Sequence, residues 1–157
     1  MTVENLTDYK SALKKAGAIS IIPQGNSMWP TLKHKGQSVL IESKKGRLQP
    51  FDVALYLVEE KYVLHRVLKV TETGYITCGD AMNILENIPE ENVIGKMVGF
   101  YKKKDFISCA DEDYVKKVKN WYKRRKLRKI RLFFFHVRLR IKGLFRKIFK
   151  GKNKWVI

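Results

Sequence analysis

Acidic residues stop at Asp113: the positions after it carry 18 lysines and arginines and no carboxylate. Residues 1–113 hold 15 basic and 15 acidic side chains, so the net charge of +18 belongs to the C-terminal stretch alone. The sequence therefore reads as a neutral body joined to a basic tail, and any binding role of the charge is confined to that tail. Cysteine is scarce as well. Cys78 and Cys109 are the only two, they match no metal-binding spacing, and two are too few to staple a domain of this size. A reduced compartment is the simpler reading. No apolar stretch reaches the length of about 18 residues that a conventional transmembrane helix needs. The segment Met1–Gly17 is polar, with neither a charged start, an apolar run of signal-peptide length nor a small-residue cleavage site. These absences lead to the expectation of a cytoplasmic protein.

What is present is globular in character. The chain is 45% hydrophobic and 31% charged over 157 residues, enough for one compact domain and an appendage. Residues Glu4 to Ala16 predict a short amphipathic helix, with Leu6, Tyr9 and Leu13 at helical spacing and Gly17 as its stop. Strands are predicted at Ala18–Pro23, Gln37–Glu42, Asp52–Val58, Lys61–Val70, Tyr75–Cys78 and Val93–Tyr101. Glu59-Glu60 joins two of them as a hairpin, and Thr73-Gly74 and Gly79-Asp80 read as turns. Short strands with Gly or Pro between them predict a mainly β core, partly open or barrel-like, over residues 1–109.

Residues 110–157 read differently. Ala110–Asp113 can start a helix, with acids at its favoured end and bases following. At about 100° per residue, Leu127, Ile130, Phe133, Phe134, Val137, Ile141, Leu144, Phe145 and Ile148 gather on one side. The stripe is imperfect, because Leu132, Phe135 and Leu139 fall among the charges. Basic residues interleaved with aromatics suit an anionic membrane interface, where each contributes about 1 kcal/mol. Packing against the core or another helix is the structural alternative. Phosphate of nucleic acid is the other, although the cluster Phe133, Phe134 and Phe135 favours lipid.

The chemistry concentrates in Gly25-Asn26-Ser27-Met28-Trp29-Pro30-Thr31-Leu32. A serine in a Gly-led turn can be presented at the end of a strand with its backbone N–H available to an oxyanion. This octet resembles the nucleophile motif G/S-x-S-M-x-P-T-L of the superfamily that unites signal peptidase I with the SOS-repressor serine peptidases. The likeness continues in the family's order. Gln49 to Tyr56 is similar to the strand "x-G-D-V-V-x-F", and Tyr62 to Leu68 to the strand of the general base. Ile76 to Asn83 resembles the box "T-K-G-D-N-N", and Val93 to Met97 the strand after it. Together the blocks span residues 18–101.

The resemblance implies a signal-peptidase-like catalytic core with Ser27 as nucleophile and His65, within His-Arg-Val-Leu, as general base. Histidine at this position resembles the archaeal, sporulation-associated and endoplasmic-reticulum branch of the family. A histidine needs no desolvation to act near neutrality, whereas a lysine does. It gains from an acid that fixes its tautomer. Asp80 in the Gly-Asp box and Glu86 are the two candidates, with Asp80 ranked first because it sits in the recognisable motif. Gly25, Asn26, Met28 and Pro30 would border the oxyanion and substrate site. The family's lysine branch has a serine two residues before the nucleophile, where this chain has Gly25. Phe51 stands in place of Gly, and Cys78 in place of Lys. Cys78 reads as a buried small residue rather than a nucleophile, and His34 and His136 have no motif around them. No cofactor or metal is implied.

The expected activity is that of a serine endopeptidase cutting a peptide or precursor protein, in maturation of a small secreted or modified peptide. Without an N-terminal anchor, the tail would hold it peripherally at the inner face of the membrane. The competing expectation is a catalytically weak module of the same fold that binds membrane or nucleic acid through the tail.

Overall fold

The computed structural model describes residues 8–32 and 37–124. Helix α1 (Tyr9–Ala16) begins where the Asp8 carboxylate accepts from the Lys10 and Ser11 amides and ends at Gly17 in the left-handed region, φ 74°. Leu6 and the rest of the expected first turn lie outside the described residues. Eight strands follow: β1 (Ala18–Ile21), β2 (Val39–Ser43), β3 (Val53–Val58), β4 (Lys61–Val70), β5 (Gly74–Cys78), β6 (Glu86–Pro89), β7 (Val93–Lys102) and β8 (Asp105–Ser108). Residues 112–124 are helical and are called α2. The Asp111 side chain accepts from the Tyr114 amide at 3.0 Å at its start.

All strands pair antiparallel in one sheet, in the order β1-β2-β7-β3-β4-β5-β6, with β8 on β7. Strands β1 and β6 are left at the two ends, so the sheet is open and the protein is mainly β. The hairpin at Glu59-Glu60 forms with both residues at positive φ (47° and 64°), and β4 spans Lys61–Val70 as its apolar pattern predicts. Strands β6 and β8 were not expected, being short and mostly polar or exposed.

Strand β3 explains how one sheet carries two apolar clusters. Its run Val-Ala-Leu-Tyr-Leu-Val has no polar alternation because both faces are covered. Val53 and Leu55 enter one cluster with Leu13, Ile41, Leu64 and Met97. Ala54 and Tyr56 enter the other with Val67, Tyr75, Ile88 and Val93. Leu13 is how α1 docks: it is buried, and burying a leucine contributes about 1.5–3 kcal/mol.

The chain divides into two compact units, Met1–Val118 and Lys119–Ile157. Residues 110–118 fall in the first of these units. Tyr114 shows the reason: its ring meets Phe100 edge-on with centroids 5.7 Å apart, so the first turns of α2 cover the sheet. The expected apolar stripe from Leu127 to Ile148, and His136 within it, lie outside the described residues, as does His34.

Candidate active site

The strand registers assemble most of the site before any side chain is considered. Residues directly opposite on antiparallel strands share a face, as do positions two apart on one strand. His65 lies opposite Ala54, which puts it on the face of Tyr56 two residues on. Val67 follows His65 on that face and lies opposite Thr77, and Thr77 lies opposite Glu86. Tyr56, His65, Thr77 and Glu86 therefore form one row across β3, β4, β5 and β6.

Within that row His65 Nδ1 is 2.9 Å from Glu86 Oε2 and 3.0 Å from the Tyr56 hydroxyl. Tyr56 donates to the same Glu86 oxygen and lies 3.3 Å from Thr77 Oγ1. His65 is buried and Glu86 is half-buried. Partial burial pulls the Glu86 carboxyl upward, but the hydrogen bonds from Tyr56 and His65 outweigh it and hold the group below its ordinary value. Burial and the neighbouring Glu86 carboxylate push the Tyr56 phenol above its ordinary value, so it remains a donor.

The other ring nitrogen lies at the Gly79 turn. A Cβ built on Gly79 would lie 3.1 Å from His65 Nε2 and 2.7 Å from the Ser27 carbonyl oxygen. Only glycine lets these two segments approach so closely. The loop is held by hydrogen bonds from Ala81 N to Ser27 O (2.8 Å), Trp29 N to Asn26 O and Leu32 N to Met28 O, and by burial of Met28 and Leu32 in the core. Gly25 supplies the left-handed turn ahead of the serine, φ 84°.

A cavity of about 390 Å³ opens beside this loop. Ser27, His65 and Glu86 all line it, together with Ile22, Gly25 and Leu64. Of the expected border residues, Gly25 and Met28 line the cavity, while Asn26 and Pro30 belong to the same loop. Cys78 is buried at the end of β5.

Asp80, the acid ranked first from the sequence, is turned to a different partner. Its two oxygens accept from Arg66 Nε at 2.8 Å and Arg66 Nη2 at 2.7 Å, a bidentate pair with both residues buried. Thr31 donates to the same carboxylate. The acid on His65 Nδ1 is Glu86, and Asp80 makes no contact there. Burial disfavours the Arg66 charge, but hydrogen bonding to Asp80 more than offsets this and raises its pKa. Arg66 also donates to the Phe51 carbonyl at 2.8 Å and lies 3.3 Å from the Tyr114 hydroxyl. Burial pushes the Tyr114 phenol up to about 12 and the nearby Cys109 thiol up to about 11. Phe51 has φ 78°, the left-handed region that favours glycine, which is the residue of the resembled motif at that place.

Tyr56 had no signal of its own in the sequence. A tyrosine inside an apolar strand reads as core, and only the register of β3 against β4 brings its hydroxyl to His65. Among the described residues no group of three or more His, Cys, Asp or Glu side chains is arranged to hold a metal ion. Neither the scan against protein-family models nor the search of curated proteins returned a match to this chain.

Proposed function

We propose that this chain is a serine endopeptidase of the signal-peptidase type, working through Ser27, His65 and Glu86. The observation that carries the reading is the two-sided placement of His65. Its Nδ1 is held on a carboxylate, and its Nε2 lies at the Gly79 turn, which the Ser27 carbonyl also approaches closely. In this reading Nε2 takes the Ser27 proton as Oγ attacks the scissile carbonyl. The imidazolium, stabilised by Glu86, then protonates the leaving amine, and water hydrolyses the acyl-enzyme by the reverse sequence. Asp80 has a positioning role: through Arg66 and Thr31 it fixes the serine loop against the Gly79 turn.

The substrate in this reading is an extended peptide. Strand β5 pairs with β4 only from Arg66 to Val70, while the cavity runs along Tyr62–His65 on the preceding part of β4. Ile21–Gly25, which continues the edge strand β1, also lines it. A peptide strand can add its backbone to such edges and place side chains in the cavity between them. By the family resemblance it would carry small residues near the cut. The tail, with its 18 basic residues, would bring the enzyme to an anionic membrane surface at the inner face.

A fluorophosphonate probe, which phosphonylates activated serines, tests the reading on the purified protein. Wild type is expected to be labelled at Ser27, with labelling lost in Ser27→Ala and His65→Ala. A folded wild type that takes up no label at Ser27 would overturn it.

A further inference from the structure

Tyr56, His65 and Glu86 form a closed triangle of hydrogen-bonding atoms. The Tyr56 oxygen lies 3.0 Å from His65 Nδ1, His65 Nδ1 lies 2.9 Å from Glu86 Oε2, and Tyr56 donates to that same oxygen. The tyrosine is wholly buried and its ring meets the imidazole edge-on at 6.1 Å. Thr77 Oγ1, 3.3 Å away, can serve the phenol as donor or acceptor.

Proton counting decides how such a triangle is filled. A phenol has one proton to give, a neutral imidazole nitrogen either gives or accepts, and an ionised carboxylate only accepts. With Glu86 ionised, both the phenol and Nδ1–H donate to Oε2. Nε2 is then left with a lone pair, the form a general base requires. Without the carboxylate the phenol's nearest ring acceptor is Nδ1 itself. Donation there excludes a proton from Nδ1 and places it on Nε2, where it blocks proton transfer from Ser27. The ring gains and loses no charge; one proton leaves Nδ1 for solvent and one returns to Nε2.

We propose that Tyr56 is a positioning residue that makes the tautomer of His65 follow Glu86. Glu86 then does more than stabilise the imidazolium. It holds the Tyr56 proton away from Nδ1, and its loss turns Tyr56 from a support into an inhibitor of the base. The consequence for activity rests on the peptidase reading, whereas the tautomer is a property of the fold and can be read separately.

The test uses the full chain with 15N-labelled histidine, at a pH where the ring is neutral. The His65 nitrogens are assigned against a His65→Gln sample, since the chain has 3 histidines. Wild type is expected to show Nδ1–H. Glu86→Ala is expected to shift the ring to Nε2–H, and Glu86→Ala with Tyr56→Phe to return it toward the mixture of a free imidazole. Probe labelling of Ser27 should follow the same order, with the second substitution restoring about tenfold of what the first removed, the effect of one hydrogen bond. Tyr56→Phe alone keeps Glu86 as acceptor and should retain Nδ1–H, with labelling lowered about tenfold at most. The proposal is overturned if Glu86→Ala keeps Nδ1–H, if the double variant matches Glu86→Ala in tautomer and labelling, or if Tyr56→Phe alone moves the proton to Nε2. A wild type that shows Nδ1–H but takes no label defeats the peptidase reading, and the tautomers still decide the role of Tyr56.

Discussion

Asp80 and Glu86 are six positions apart and both come near the serine loop or its base, yet their surroundings assign them opposite kinds of work. Asp80 neutralises a guanidinium that is fully buried, so Asp80→Ala strands a charge out of water. Removing one partner of such a pair costs about 3–5 kcal/mol, and calorimetry should show Tm falling by more than about 10 °C. Glu86 is half-buried on an edge strand, so Glu86→Gln should leave Tm within a few degrees of wild type while labelling of Ser27 drops sharply. Stability against pH gives a second expected outcome. The folded Glu86 pKa lies below its ordinary value, so its contribution is complete above the ordinary carboxylate range and is lost as pH falls through the folded value. Melts of wild type and Glu86→Gln should differ at neutral pH and converge in acid; a difference that grows on acidification would contradict the assignment. The sequence alone ranked Asp80 first because the Gly-Asp box is a visible motif. What Glu86 faces depends on the register of β6 against β5, which no local pattern displays.

At the scale of elements, legibility followed periodicity. The β3–β4 hairpin was readable because two long apolar runs flank Glu59-Glu60, and β7 because Val93–Tyr101 is a mostly apolar run with only Lys96 charged. Strand β6 (Glu-Asn-Ile-Pro) buries only Ile88 and β8 buries none of its four residues fully, so pairing with a neighbour makes them strands rather than their own composition. Helix α1 was readable from Tyr9, Leu13 and Gly17, but its junction with the site was not. The Asp8 carboxylate caps the helix and also accepts from the Tyr62 hydroxyl at 2.9 Å, while Tyr9 and Tyr62 both line the cavity. Asp8→Ala removes the helix cap and should lower Tm by a few degrees. The same variant should weaken capture of peptide substrate more than it slows labelling by a small probe, because it loosens a cavity wall and leaves His65 in place.

For the whole molecule, charge separation is the dominant feature and was evident from the sequence, since it needs only counting. The unit boundary was less so: the start of α2 looks like the start of the tail, yet Tyr114 is tied to Arg66 and Phe100. Binding of the full chain to vesicles should require anionic lipid and weaken steeply as salt rises from low to physiological strength. Equal binding to zwitterionic vesicles would leave the charge without a role there, and preferential retention on nucleic acid in competition would move the tail's partner from lipid to phosphate backbone.

The central claim is that Ser27 and His65 cut peptide bonds. Mass spectrometry of new protein N-termini in cells expressing wild type, Ser27→Ala or His65→Ala tests it most directly. A set of termini is expected that appears only with wild type and shares a residue preference at the cut. Identical termini in all three strains, with each protein present and folded, would contradict it.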